Sequence, residues 1–299
     1  MIPELAAPRF RQACAALRAG LAQRLEESTP PRQSVHLGAG HLLISPAADR
    51  AHVGVKVVSV APGNSALGRP TVQGGYLLMD AATLTPLWQG DAAPLTLLRT
   101  AAVSMVAIEL LGHVGPPRHA VIVGSGPQAT AHAAGLLATC QPQRITLVAR
   151  RAGVATARAA ELSAELGVEI TAAGIDAVAD ADLVICVTSA ATPLFTDGQI
   201  AEQAIVVAVG SHTPEAAELP AELVQRAAVY VEHVGESMKS GDLRQAAGPS
   251  GELAGLVTIG QLVRGEHVRR DRGPWVFKSV GQGWEDLCVA AALHGSPIP

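Results

Sequence analysis

The sequence predicts an α/β protein, with a doubly wound parallel sheet joined to a β-rich domain. Two patterns predict it. From residue 119 onward, short apolar runs alternate with helical stretches, which is how a parallel sheet covered on both faces reads. Between residues 34 and 87 the apolar runs are shorter and are punctuated by Gly, Pro and Asn, an antiparallel pattern. A length of 299 residues is compatible with about two such units. We place their boundaries at 1–112 with 280–299 for the β-rich domain, and at 113–279 for the parallel one.

Taken in order, residues 4–27 carry apolar side chains at helical spacing, among them Leu5, Phe10, Ala13, Cys14, Leu17, Leu21 and Leu25. That helix should stop before Pro30-Pro31. Short strands follow around His36-Leu37, Leu42–Ile44, Val53–Val60, Val72–Met79 and Leu84–Trp88. A second helix spans 91–112, with Asp91 as its N-cap and Gly112 and Gly115-Pro116-Pro117 as its stop. The parallel strands are expected near 119–123, 145–149, 168–171, 182–187, 204–209 and 228–231, with a helix over 152–166. A helical stretch near 258–265, a strand at Trp275–Lys278 and a last helix from Gly283 to His294 complete the chain. Because the last helix lies beyond the parallel strands, the two termini are expected to pack together in the β-rich domain.

Composition excludes several classes of function. The net charge is −4 and no basic tract is present, so a nucleic-acid partner is not expected. No apolar run is read as approaching the ~20 residues of a membrane span, and the N-terminus lacks the apolar core of a secretory signal. Cys14, Cys140, Cys186 and Cys288 are far apart and form no C-x-x-C. They read as buried thiols, with neither a disulfide framework nor a metal site, and point to the cytoplasm.

The strongest motif is Ala120 to Ala129. An apolar strand stops at Gly124-Ser125-Gly126, and a helix begins at Pro127. This is G-x-G-x-x-A in its proper setting, the Rossmann βα turn. Gly124 permits the turn, Gly126 allows close backbone approach to a pyrophosphate, and Ala129 lets the helix pack on the strand. Helix N–H groups then face an anion. The cofactor-binding set is Gly124, Ser125, Gly126, Pro127, Gln128 and Ala129. Where an NAD enzyme carries an acid for the ribose hydroxyl, this chain has Ala149 followed by Arg150 and Arg151. Guanidinium groups suit a 2′-phosphate, so NADP(H) is expected over NAD(H), which remains possible.

Three cations stand out elsewhere. Arg32 follows two prolines, Lys56 lies in Val53-Gly54-Val55-Lys56-Val57-Val58, and Arg99 lies in Leu97-Leu98-Arg99-Thr100-Ala101-Ala102. A cation among apolar neighbours needs an anionic partner. Their convergence on one small carboxylate is one reading; Lys56 on an exposed strand edge, and Arg99 paired with Asp91 or Glu109, is the other.

These segments resemble the ornithine cyclodeaminase/mu-crystallin family over nearly the whole chain. The resemblance rests on Arg32 with Pro46, Gly54-Val55-Lys56, Pro70-Thr71-Val72-Gln73, Arg99-Thr100-Ala101-Ala102-Val103-Ser104, Gly124 to Ala129, Ala208-Val209-Gly210, Ser240-Gly241-Asp242, and Phe277 to Gly281 followed by Glu285-Asp286. It implies a β-rich substrate and dimerisation domain beside a Rossmann domain, and a homodimer. It assigns the substrate carboxylate to Arg32, Lys56 and Arg99, and the nicotinamide side to Val209-Gly210, with Thr188 and Ser211 counted among the cofactor residues. Two departures matter. Leu43 replaces an acid of the cyclodeaminase branch, and Ser211-His212 replaces an Asp that meets the substrate amine. Ornithine would therefore lose partners for both its ammonium groups. The chain is most similar to the reductase branch, which reduces Δ1-pyrroline-2-carboxylate and Δ1-piperideine-2-carboxylate to proline and pipecolate. Lys56 and His212 are the candidate catalytic groups for proton delivery. The readings left open are a cyclodeaminase or alanine-type amino-acid dehydrogenase, and a non-catalytic NADPH-binding protein of the mu-crystallin kind.

Overall fold

The computed structural model describes residues 5–112 and 116–294, so His113 and Gly115 lie outside the described residues. The N-terminal helix is α1 (Ala7–Ala22), followed by a single turn, α2 (Leu25–Ser28). The expected continuous helix breaks at Arg24, whose φ of 62° is left-handed. A five-stranded antiparallel meander follows: β1 (Gln33–Leu37), β2 (Gly40–Ala48), β3 (His52–Val60), β4 (Val72–Asp80) and β5 (Pro86–Asp91). The register sets Ser45 and Tyr76 on either side of Lys56. Strand alternation then places Gly54, Lys56 and Val58 on the buried face, while Val57 points outward.

Helix α3 (Ala92–Leu111) leaves the meander directly. The Asp91 carboxylate caps it, accepting from the Ala93 N–H at 2.8 Å. At 20 residues this helix is apolar and long enough to cross a membrane, contrary to the expectation that no run comes close. It is a core helix instead: most of it is buried inside the protein, with Leu98, Ala101, Ala102, Val103, Met105 and Val106 almost wholly enclosed.

The second sheet has eight strands, all paired in parallel: β6 (His119–Val123), β7 (Arg144–Val148), β8 (Ile170–Ala173), β9 (Leu183–Cys186), β10 (Ile205–Ala208), β11 (Ala228–Val231), β12 (Val257–Thr258) and β13 (Trp275–Lys278). Their order is β12-β11-β13-β10-β9-β6-β7-β8. The last strand in sequence is thus threaded between β10 and β11. Helices α4 (Pro127–Thr139) and α5 (Ala152–Leu166) connect β6, β7 and β8. Gly167, at φ 70°, terminates α5 in the left-handed conformation that glycine adopts freely. Short helices α6 (Ala221–Arg226), α7 (Val234–Ser237), α8 (Gly241–Ala247) and α9 (Ile259–Val263) follow, and α10 (Gly283–His294) ends the described chain.

One apolar core joins the two sheets, and a second, built around Val121, Val184, Val206 and Val276, lies on the other face of the parallel sheet. Helices α1, α3 and α10 pack on one another, α3 and α1 pack on α4, and α10 covers β3 and β2. The first and last described helices, α1 and α10, meet in this layer. Leu17 lies at its centre, fully buried. Leu17→Ala is expected to lower the unfolding free energy by about 2–5 kcal/mol, because the packed helices cannot collapse into the space. The denaturant midpoint should fall with an unchanged slope.

Candidate active site

The C-terminal ends of β9, β10, β13 and β11 lie side by side, and open α/β sheets bind ligands in the crevice at that edge. The β6–α4 turn shares the edge. Gly124 has φ 136°, and a Cβ there would lie 2.6 Å from the Val187 carbonyl oxygen. Gly126 is exposed with open space around its would-be Cβ, and no side chain caps α4. Ser125 and Gln128 are half-buried, Pro127 is exposed and Ala129 is fully enclosed against the sheet. An uncapped, solvent-facing helix start with no obstructing side chain fits a dinucleotide pyrophosphate. Just past β7, Arg150 and Arg151 are exposed, and no acid adjoins them in the sequence.

The three cations converge at this edge. Arg32 donates to the carbonyls of Val280 (3.0 Å) and Gly281 (3.2 Å), just after β13. Lys56 reaches from β3 to Asp286, with Nζ 2.9 Å from Oδ1 and 2.7 Å from Oδ2. Arg99 reaches from α3 to Glu285 at 2.7 Å, and its Nε lies 3.2 Å from Asp286. Lys56 and Arg99 are buried, and Glu285 and Asp286 wholly so. The anionic partners that Lys56 and Arg99 need are thus supplied by α10, whether or not a carboxylate is bound. Asp91 and Glu109 do not pair with Arg99; Asp91 caps α3 and Glu109 binds Arg18. Leu43 lies half-buried on the same face of the sheet as Lys56, opposite Val58.

Glu232, at the end of β11, is fully buried and missing from the sequence reading. It accepts from the Ser279 hydroxyl (2.6 Å) and from the N–H groups of Val280 (3.1 Å) and Gly281 (2.9 Å). Gly281 is left-handed at φ 73°, and a Cβ there would meet the Arg99 guanidinium at 2.4 Å. Thr188 and Gly210 are joined by Glu218, also unforeseen. Val209 is buried, and the buried Ser211 hydroxyl donates to the Ala216 carbonyl.

Electrostatics separates the two candidate proton donors. Burial pushes the Lys56 ammonium down to about 8, while Asp286 pulls the other way. Enclosure by protein, followed by the charges of Lys278, Arg32, Arg99 and Lys56, lowers His212 to about 3. The His212 ring is still open to solvent, so the cations are the firmer of the two causes. The lowered pKa leaves the imidazole mostly neutral near pH 7, which favours Lys56 over His212 as the proton donor. Burial, then Glu232, raises the Glu285 carboxyl, with Arg99 opposing. His119 and His132 are internal: His119 meets Thr146 at 2.9 Å, and His132 meets Ser104 at 3.0 Å and the Gln128 carbonyl at 2.8 Å. His294 is exposed.

Fold and site together define an α/β protein with a dinucleotide-type sheet edge and a cluster of three cations beside it. A model of the ornithine cyclodeaminase/mu-crystallin family matches residues 7–296, and the chain belongs to that family. It is 34% identical over 264 residues to Delta(1)-pyrroline-2-carboxylate reductase 2 of Burkholderia ambifaria, covering 87% of this chain and 82% of that protein. The Delta(1)-pyrroline-2-carboxylate/Delta(1)-piperideine-2-carboxylate reductase of Azospirillum brasilense matches at the same identity and coverage. Among solved structures, the Delta(1)-pyrroline-2-carboxylate reductase of Thermococcus litoralis, in complex with NADH and L-proline, superimposes with a TM-score of 0.88. That pair is 25% identical, with 96% of this chain and 92% of that chain covered.

Two expectations follow for the cation cluster. Lys56 loses its proton as pH rises through about 8, so carboxylate binding should be complete well below that value and fall above it. Asp286→Asn removes the charge that holds the ammonium protonated, so the alkaline limb should move to lower pH. A pH titration of substrate-analogue affinity checks this, and an unmoved limb refutes it. Gly281→Ala should displace the Arg99 guanidinium and cost about 100-fold in kcat/KM, the usual penalty for an ångström of misplacement.

Proposed function

We propose that this chain is an NADPH-dependent reductase of cyclic imino acids, converting Δ1-pyrroline-2-carboxylate to L-proline and Δ1-piperideine-2-carboxylate to L-pipecolate. The observation that carries the reading is the convergence of Arg32, Lys56 and Arg99 beside the dinucleotide edge of the parallel sheet. The named activities of its relatives support the same chemistry. The nicotinamide, when bound, supplies a hydride to the C=N carbon.

The chain's own groups do the rest. The guanidinium groups of Arg32 and Arg99 take the ring carboxylate and fix the plane of the substrate. Lys56, whose pKa is close to working pH, holds the proton that the imine nitrogen requires, and Asp286 keeps that ammonium in place. His212 stays neutral and lines the pocket without an acid's charge. Leu43 and His212 leave the substrate ammonium groups of a diamino acid without carboxylate partners at those positions, which favours an imine over ornithine. Arg150 and Arg151 supply the preference for a 2′-phosphate. The outer face of the antiparallel sheet exposes Val35, Leu37 and Val57, an apolar strip that a second copy would cover, and we propose a homodimer.

The decisive experiment follows NADPH and NADH oxidation with both cyclic imines and with pyruvate plus ammonia, and proline formation from L-ornithine. Reduction of a cyclic imine with the higher kcat/KM for NADPH is expected. Faster ammonia release from ornithine, or binding of NADPH with no turnover of any substrate, would replace this reading. Arg99→Lys should lower kcat/KM for the imine by roughly one to two decades, because an ammonium cannot supply the bidentate fork. Arg150→Ala with Arg151→Ala should raise the KM for NADPH more than that for NADH. Light scattering at micromolar concentration should return at least the mass of a dimer.

A further inference from the structure

The turns after β9 and β10 are fastened to each other by a single buried side chain that the mechanism above does not use. Glu218 lies in the segment between β10 and α6 and is fully enclosed. Its Oε1 accepts from the Thr188 N–H at 2.7 Å and from the Thr188 hydroxyl at 2.8 Å. Its Oε2 accepts from the Gly210 N–H at 2.6 Å. The two turns touch: a Cβ on Gly210 would lie 1.8 Å from the Thr188 carbonyl oxygen. Glu218 is itself held from behind. Its own N–H and that of Leu219 donate to Asp242 Oδ1 at 2.7 and 2.9 Å. Asp242 Oδ2 lies 3.1 Å from the Lys278 ammonium, which also donates to the Ala208 carbonyl at 3.3 Å. Leu194 N–H donates to the Glu218 carbonyl at 2.9 Å.

We propose that Glu218 is a positioning residue for the nicotinamide half of the cofactor, acting by locking the Thr188 and Gly210 turns at one separation. The proposal rests on the functional reading above, which assigns both turns to the cofactor. Chemistry favours this role over mere satisfaction of polar groups. Separate acceptors could satisfy the Thr188 and Gly210 donors one by one. They would not hold the turns together; a carboxylate accepting from both does. Only a carboxylate can do so. A carboxamide has one acceptor oxygen, and its NH2 would face either the Gly210 or the Thr188 donors. The Ser240-Gly241-Asp242 segment gains a purpose as well. Asp242 fixes the main chain that carries Glu218, and Gly241 permits close approach, since a Cβ there would lie 2.2 Å from the Ala216 carbonyl oxygen.

The test compares ligands that contain the nicotinamide with ligands that lack it. Dissociation constants for NADPH and NADH, and for ADP-ribose and its 2′-phosphate, are measured on wild type, Glu218→Gln and Thr188→Val, alongside thermal melts. Glu218→Gln is expected to weaken the dinucleotides about tenfold, the effect of one lost hydrogen bond to a charged group, and to leave the ADP-ribose compounds within about twofold. Thr188→Val loses one of the three bonds to the same carboxylate and should weaken the dinucleotides by a similar factor, again sparing the fragments. If Glu218→Gln gives no cooperative melt, Thr188→Val decides. Equal losses for dinucleotide and fragment, or unchanged dinucleotide affinity in a folded variant, overturn the proposal. A wild-type protein that binds no dinucleotide overturns the functional reading and this proposal together. One that binds dinucleotides and reduces no imine overturns only the former.

Discussion

Two neighbouring carboxylates on α10, Glu285 and Asp286, hold the two halves of the site in one place. Lys56 comes from the antiparallel sheet and Arg99 from the central helix, and both are buried. Burying either cation alone is strongly unfavourable, and removing one partner from such a pair typically costs about 3–5 kcal/mol. The carboxylates convert that cost into a constraint. Asp286 touches both cations, so strand β3, helix α3 and helix α10 must stand at one mutual position for either charge to be compensated. Glu285 also accepts from the Gln282 N–H at 2.8 Å, which fixes the first turn of the helix carrying the pair. Because α10 follows directly from β13, the middle of the parallel sheet is tied to the cations with only a short connection between.

Buried acids recur along the same edge. Glu232 gathers Ser279, Val280 and Gly281, and Glu218 gathers Thr188 and Gly210. Both turns contain a glycine that lets the backbone come close to a neighbour: Gly281 to the Arg99 guanidinium, Gly210 to the Thr188 carbonyl. A glycine turn is by itself the loosest kind of backbone. A carboxylate accepting two or three main-chain or hydroxyl hydrogens removes that freedom without filling the crevice. The edge can therefore be both open to a ligand and rigid.

Much of this was legible from local pattern. The β6–α4 turn, helix α3 with its Asp91 cap, helix α5, the antiparallel strands and the last helix all follow from spacing and capping within a few residues. What escaped is non-local. Nothing local to Trp275–Lys278 says that β13 inserts between β10 and β11, because its pairing partners lie in distant segments. The one- and two-turn helices between 221 and 247 carry too few residues for a period to emerge. At the site, the cations were legible because each sits in an apolar run, but their partners lie 186 and 230 residues further along the chain. Glu218 and Glu232 gave no signal, since an acid in a loop or at a strand end reads as solvated. The family motifs did contain Asp242, Glu285 and Asp286, without the physical role that the fold gives them.

The pairing of the cations also orders how they meet a ligand. Lys56 and Arg99 each contact a carboxylate, whereas the hydrogen bonds that Arg32 makes among the described residues go to carbonyl oxygens. A carbonyl offers a dipole, so the full charge of Arg32 is the least compensated of the three. Burial, then the nearby charge of Arg99, lowers its pKa, while Asp286, Glu232 and Glu236 oppose the shift from a distance. A carboxylate bound as proposed would gain most against Arg32, and would share Arg99 and Lys56 with Glu285 and Asp286. Sharing weakens each contact and sharpens geometry, because a guanidinium already committed on one edge can offer only the other. On the proposed reading, the buried acids make the site a poorer trap for anions in general, and a more exacting one for a carboxylate set at the right angle to its ring.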